Sequence, residues 1–181
     1  TKSEEERLME EAIGKRIDDY LTKPVNPSQI LSVCKRILDT RRIREEKVAR
    51  DYVVDYNRIR GQLTGPLGWR DWIDIHLSLS RWDVELDEHT DANLKQTHRD
   101  LRRACNTEFS RFVERHYPEW VEGKGAPPLS VDFMARFVYP HLVAQRSVFL
   151  VVIDCMRLDQ WLAVEPLLFD LYSIRREYYY S

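Results

Sequence analysis

Asp154 and Arg157 are the residues of this 181-residue chain best placed for chemistry. They follow an unbroken apolar run, VFLVVI at residues 148–153, rich in β-branched side chains. Such a run reads as a strand buried on both faces, as in a parallel sheet flanked by helices. After it, Leu158, Trp161, Leu162 and Leu168 keep a mostly helical spacing, interrupted by the polar Glu165. Asp154 would then end a central strand where the chain turns into a helix, the edge of an open α/β sheet at which ligands and metals bind. A hard oxygen ligand there suits a divalent cation. The competing reading is a helix cap, with Asp154 accepting backbone N–H bonds.

Other chemistry-bearing groups are weaker signals. Asp87, His89 and Asp91 alternate in a polar stretch and could ligate a cation, but isolated polar loop residues are usually just solvated. His98 and His116 fall on an apolar stripe and read as core or rim histidines. There is no HExxH, GxGxxG or GxxxxGK[ST]. Cys34, Cys105 and Cys155 are far apart, odd in number and form no CxxC, so they read as reduced core thiols of a cytoplasmic protein.

The composition frames these candidates. The chain is 43% hydrophobic and 32% charged, enough apolar material for a core in one medium or two small domains. No apolar run reaches the roughly 18–20 residues of a membrane span, and neither a secretory signal nor an initial Met is present. A net charge of −2 argues against a protein that coats nucleic acid.

The elements that must position the candidates are mostly helical. Residues 1–14 read as a short amphipathic helix with Leu8, Ala12 and Ile13 on one side, stopped by Gly14. Residues 17–23 fit a strand bounded by Pro24. Asn26 and Pro27 open a helix as cap and first-turn residue. No glycine or proline interrupts residues 28–60, which read as one long helix with a polar waist at 39–47. Arg41 to Arg44 could bind phosphate, but Glu45 and Glu46 beside them favour a solvated face. GQLTGPLG at 61–68 is the clearest break. Beyond it Trp69, Trp72, Ile73, His76, Leu77 and Val84 form one stripe. Leu94, His98, Leu101, Cys105, Phe109, Phe112 and His116 form a second, ended by Pro118 and residues 123–128. Phe133, Met134, Phe137 and Val138 form a third, with Pro140 near its end. Helices with short loops make a bundle, and these aromatics read as its core rather than as a base-stacking platform.

Two family resemblances add to this. Residues 1–38, TKSEEERLMEEAIGKRIDDYLTKPVNPSQILSVCKRIL, resemble the last third of a response-regulator receiver domain. The order carries the likeness: a Thr, an acidic helix, then a strand with an aromatic and Lys-Pro. The resemblance implies that Thr1 is the switch hydroxyl, Tyr20 the switch aromatic and Lys23 the lysine that pairs with a phosphorylated aspartate, with a cis Lys23-Pro24 bond. An acyl phosphate needs such a cation and donor. The phosphoacceptor and the magnesium ligands are not in this sequence. Residues 147–161, SVFLVVIDCMRLDQW, resemble the opening of a PglZ domain of the alkaline phosphatase superfamily, which implies that Asp154 ligates zinc beside Arg157. The next strand would be SIRREYYY at 173–180. The Thr or Ser nucleophile and the other metal ligands of that family are not in this sequence.

Receiver, helical bundle and PglZ domain together resemble PorX-type response regulators. The expected fold is mixed α/β and mostly helical: a partial receiver at 1–38, a long linker helix and helical bundle at 39–146, and the first strand-helix-strand of an alkaline-phosphatase-like α/β domain at 147–181. The resemblance implies a cytoplasmic protein that takes phosphate from a sensor histidine kinase, dimerises on phosphorylation and regulates type IX secretion. It also implies a zinc-dependent phosphodiesterase acting on oligonucleotide-type substrates, in which this stretch alone would be inactive. The alternative is a non-enzymatic regulator that binds a sigma factor or another protein.

Overall fold

A computed structural model describes residues 21, 23–87 and 91–179. The expectations for the helix at 1–14, for most of the strand at 17–23, for Thr1 and Tyr20, and for His89 lie outside the described residues. The Lys23-Pro24 peptide is cis.

The first helix, α1, spans Pro27–Gln62. It starts as its sequence dictates: Asn26 Oδ1 accepts the Ser28 N–H at 2.9 Å, and Gln29 Oε1 accepts the Asn26 N–H at 3.4 Å. Its waist is a solvated face, with Arg41 paired to Glu45 and Arg42 to Asp39 and Glu46. The chain divides within α1 into two compact units, Thr1–Asp51 and Tyr52–Ser181. In the first, Leu31, Leu38 and Ile43 are exposed.

The second unit holds the core. Helices α2, Trp69–Asp87, and α3, Ala92–Val121, pack with the end of α1. Asp71 accepts the Gly68 N–H at 2.7 Å ahead of α2. Asp91 caps α3, accepting from Asn93 at 2.8 Å and Leu94 at 3.2 Å. Capping is thus a structural role of Asp91. Ile59, Trp72, Ile75, Leu79, Leu101, Cys105, Phe112 and Trp120 form the buried cluster. The stripe on α3 is as its spacing predicts. On α2 Trp72, Ile75, Leu77, Leu79 and Leu86 are buried, so Trp72 and Leu77 of the expected stripe face inward, while His76 and Val84 are exposed.

Pro118 does not end α3. It sits in the last turns, where the loss of one N–H bond is tolerated, and the helix closes three residues later. There Gly123, at φ 78°, lets Lys124 N–H reach the Glu119 carbonyl at 2.9 Å. The third stripe is not one helix but a short 3-10 turn, Ser130–Asp132, a π-helical turn, Met134–Val138, and α4, Tyr139–Val143. A last helix, α5, Leu158–Val164, lies against α2 and runs into a 3-10 turn, Glu165–Leu168, where Pro166 removes an N–H.

The expected mixed α/β class is overturned: the described residues are helices, turns and irregular chain, with no strand among them. The run at 148–153 carries strand residues but no strand, because a strand needs a neighbour to complete its hydrogen-bond ladder and no described segment pairs with it. Residues 173–179 are likewise irregular. Two of the three thiols expected in the core, Cys34 and Cys155, are exposed, and only Cys105 is buried. Burial pushes the Cys105 thiol up to about 11. Among the described residues no helix is long and apolar enough to cross a membrane.

Candidate functional site

The densest polar constellation joins α1 to α2. Asp55 stands on the buried face of α1 between Tyr52 and Ile59, each only 1% exposed. Helical spacing brings it to α2, where its Oδ2 accepts from Ser78 Oγ at 2.8 Å and from Trp82 Nε1 at 2.8 Å. Its Oδ1 accepts from Arg58 Nε at 3.0 Å, and Arg58 also donates to Ser78 Oγ and Gln62 Oε1, both at 3.0 Å. Burial pushes the Asp55 carboxyl upward. The hydrogen bonds from Trp82, Arg58 and Ser78 and the Arg58 charge outweigh it and hold the group below the usual carboxylate range.

A second knot joins α2 to α3. His98, buried, lies 3.0 Å through Nε2 from Asp83 Oδ1, and Arg102 Nη1 donates to Asp83 Oδ2. Burial pushes the His98 imidazole below its ordinary value, against the nearby Leu79 carbonyl. Arg102 also balances the Asp83 charge, and the depressed imidazole fits a neutral ring beside that ion pair. The Tyr52 ring meets both knots edge-on, with centroids 5.2 Å from Trp82 and 5.6 Å from His98. These groups fix how three helices meet. Neither knot sets a nucleophile beside a base at an open cleft, so the arrangement positions helices rather than reacting atoms.

Of the residues to which the sequence points, Lys23, Asp154 and Arg157 are among those described. Lys23 is exposed. Asp154 is exposed in a turn, and its Oδ1 accepts the N–H of Cys155, which adopts φ 57°. It neither ends a strand nor caps α5: Arg157 is the cap residue, its N–H held by Gln160 Oε1 at 3.0 Å. The Arg157 guanidinium is bound to Asp159, through Nε at 3.0 Å and Nη2 at 2.8 Å. No group of three or more His, Cys, Asp or Glu that could hold a metal exists among the described residues, and the other zinc ligands that the resemblance implies are not in this sequence. The lock residues Asp55, Ser78 and Trp82 were not singled out. Their one signal was a carboxylate on an otherwise apolar helix stripe.

Residues 42–121 match the family described as the PorX response regulator linker domain. The match starts inside α1 and ends on the last residue of α3. No curated protein matches the chain.

Proposed function

We propose that the chain serves as the linker of a PorX-type response regulator, a non-catalytic helical element that passes a phosphorylation signal to an effector. The linker match over residues 42–121 carries this reading, because it encloses every member of the Asp55 lock and the Asp83 knot. A transmitting element needs a stiff arm with a fixed register. The 36 residues of α1 make an arm about 54 Å long. Sliding it by a turn would break the Ser78 and Trp82 bonds to Asp55 at once and leave the Trp82 indole N–H unpaired, so the joint favours discrete positions over gradual ones.

In this reading a sensor histidine kinase supplies the signal, the phosphorylated form self-associates, and the output is control of type IX secretion. The effector step that the resemblance implies, zinc-dependent cleavage of an oligonucleotide-type diester, needs residues other than those this chain carries.

The test is a phase shift in the arm. Two alanines inserted between Thr40 and Arg41 rotate the two halves of α1 against each other by about 200°, whereas seven inserted residues return them to within about 20° of the native phase. In the intact regulator the two-residue insertion should still bind an acyl-phosphate mimic, yet lose the mimic-induced change in hydrogen exchange across α2 and α3. The seven-residue insertion should restore that change. An unaltered response after the two-residue insertion would show that α1 transmits nothing.

A further inference from the structure

Residues 146–153 form neither helix nor turn, and the stretch lies between two left-handed residues, Gln145 at φ 56° and Cys155 at φ 57°. No residue between those two has a positive φ, as a strand requires. Phe149, Leu150, Val151, Val152 and Ile153 are exposed, and Val148 is half-buried. No described segment completes the backbone hydrogen bonds of this run. A bare apolar edge of this kind is a template for pairing with another chain.

The charges at its two ends select the partner. Arg146 and Asp154 are exposed, and among the described residues neither is in an ion pair. They stand four residues to either side of Leu150. An antiparallel copy centred on Leu150 therefore sets Arg146 opposite Asp154 at both ends of the ribbon. Between them Val148 meets Val152 and Phe149 meets Val151, all apolar cross-strand pairs. Any other antiparallel register separates Arg146 from Asp154. Parallel pairing in register sets Arg146 on Arg146 and Asp154 on Asp154, and like charges directly opposite are destabilising. The other irregular stretch of the chain, 173–179, is a poorer match. It would bring Arg175, Arg176 and Glu177 against apolar residues, and its arginines are already paired, with Glu177 and Glu165.

We propose that residues 146–154 pair antiparallel with the same residues of a second copy of this chain, about a two-fold axis at Leu150. The six apolar residues at 148–153 are far fewer than the roughly 20–30 a side of a stable interface. The pair is therefore weak, and the dilute chain keeps the run in water. The proposal is independent of the linker reading and needs neither a phosphate nor α1.

The full chain is followed by sedimentation velocity from about 1 μM to about 1 mM, the range of weak association. The native chain should pass from monomer to dimer, with alternate amides of 148–153 slowing in hydrogen exchange as it does. Arg146→Asp and Asp154→Arg each set like charges at both ends of the ribbon, and each should weaken the dimer by about tenfold. An equal mixture of these two variants restores opposite charges at both ends and should associate as the native chain does. So should the double variant Arg146→Asp/Asp154→Arg, a recovery that a folding defect does not produce. A monomer at every concentration, single variants that associate like the native chain, a mixture that fails to recover, or growth past the dimer would overturn the proposal. So would amides of 148–153 already protected in the monomer, which would place the cover within the same chain.

Discussion

The apolar residues of α2 and those of the 148–153 run are equally greasy, yet their environments are opposite. Trp72, Ile75 and Leu79 are buried within one cluster, while Phe149 is 94% exposed and Val151 and Val152 stand in solvent. Composition does not separate them. The difference is that a helix satisfies its own backbone and needs only a face to pack against, whereas a strand needs another strand before its side chains can be covered. Residues within α1 make the same contrast. Tyr52 and Ile59 are sealed against α2 and α3, whereas Leu31 and Leu38 are exposed. Burial therefore depends on the availability of a complementary element rather than on local hydrophobicity.

The most severe test of this contrast removes a side chain from the covered region. Trp72 packs edge-on to Phe109 at 5.4 Å and tilted to Phe112 at 6.1 Å. Trp72→Ala should cost about 3–5 kcal/mol in chemical denaturation, the usual loss for a buried tryptophan. A loss below about 1 kcal/mol would mean that the cluster is not the core. Next comes the lock. Asp55→Ala leaves the Trp82 indole N–H without its acceptor and Arg58 without its carboxylate partner, and should cost about 2–3 kcal/mol. A cycle with Trp82→Phe should show coupling between the two positions, and strict additivity would mean the bond is not formed.

The sequence carried the helical part of this fold well and the site poorly. Asn26 and Pro27 announce the start of α1, and the α3 stripe from Leu94 to His116 marks the face that packs inward. Of that stripe His98, Leu101, Cys105 and Phe112 are buried, and Leu94, Phe109 and His116 are half-buried. The α2 stripe differs because three tryptophans and several aliphatics allow more than one face, and packing against α1 and α3 chose between them. The strand at 148–153 failed for a non-local reason, since β-branched content shows fitness for a ladder and not the presence of its other rail. Asp55 escaped notice because Ser78 and Trp82 lie more than twenty residues away, and nothing in the order of residues announces that they converge.

The second knot adds a pH test. The folded pKa of His98 is depressed by burial, so the unfolded chain binds more protons between that value and its ordinary value of roughly 6.5. Stability contributed by the neutral ring is therefore fully present above roughly pH 6.5 and declines as pH falls toward the depressed value. Asp55, also depressed, acts lower: its contribution is present above roughly pH 4 and is lost as pH falls through its folded value. The thermal midpoint should drop between pH 7 and pH 5, and His98→Gln should flatten that drop while leaving the acid limb in place. An unchanged slope in the variant would assign the effect to another group.

The smallest expected effect lies in the exposed run, and it tests the uncovered side of the contrast. Val151→Thr and Val152→Thr keep the β-branched shape and exchange a methyl group for a hydroxyl. In a buried strand each hydroxyl would be desolvated and would cost about 1–3 kcal/mol. Here both side chains are in water, so each substitution should change stability by less than about 0.5 kcal/mol. A large loss from either would mean that an element covers the run in solution, and that its strand-like residues do pack against something. Near-neutrality would leave the run as an uncovered apolar surface, with the fold resting on the three helices whose side chains meet.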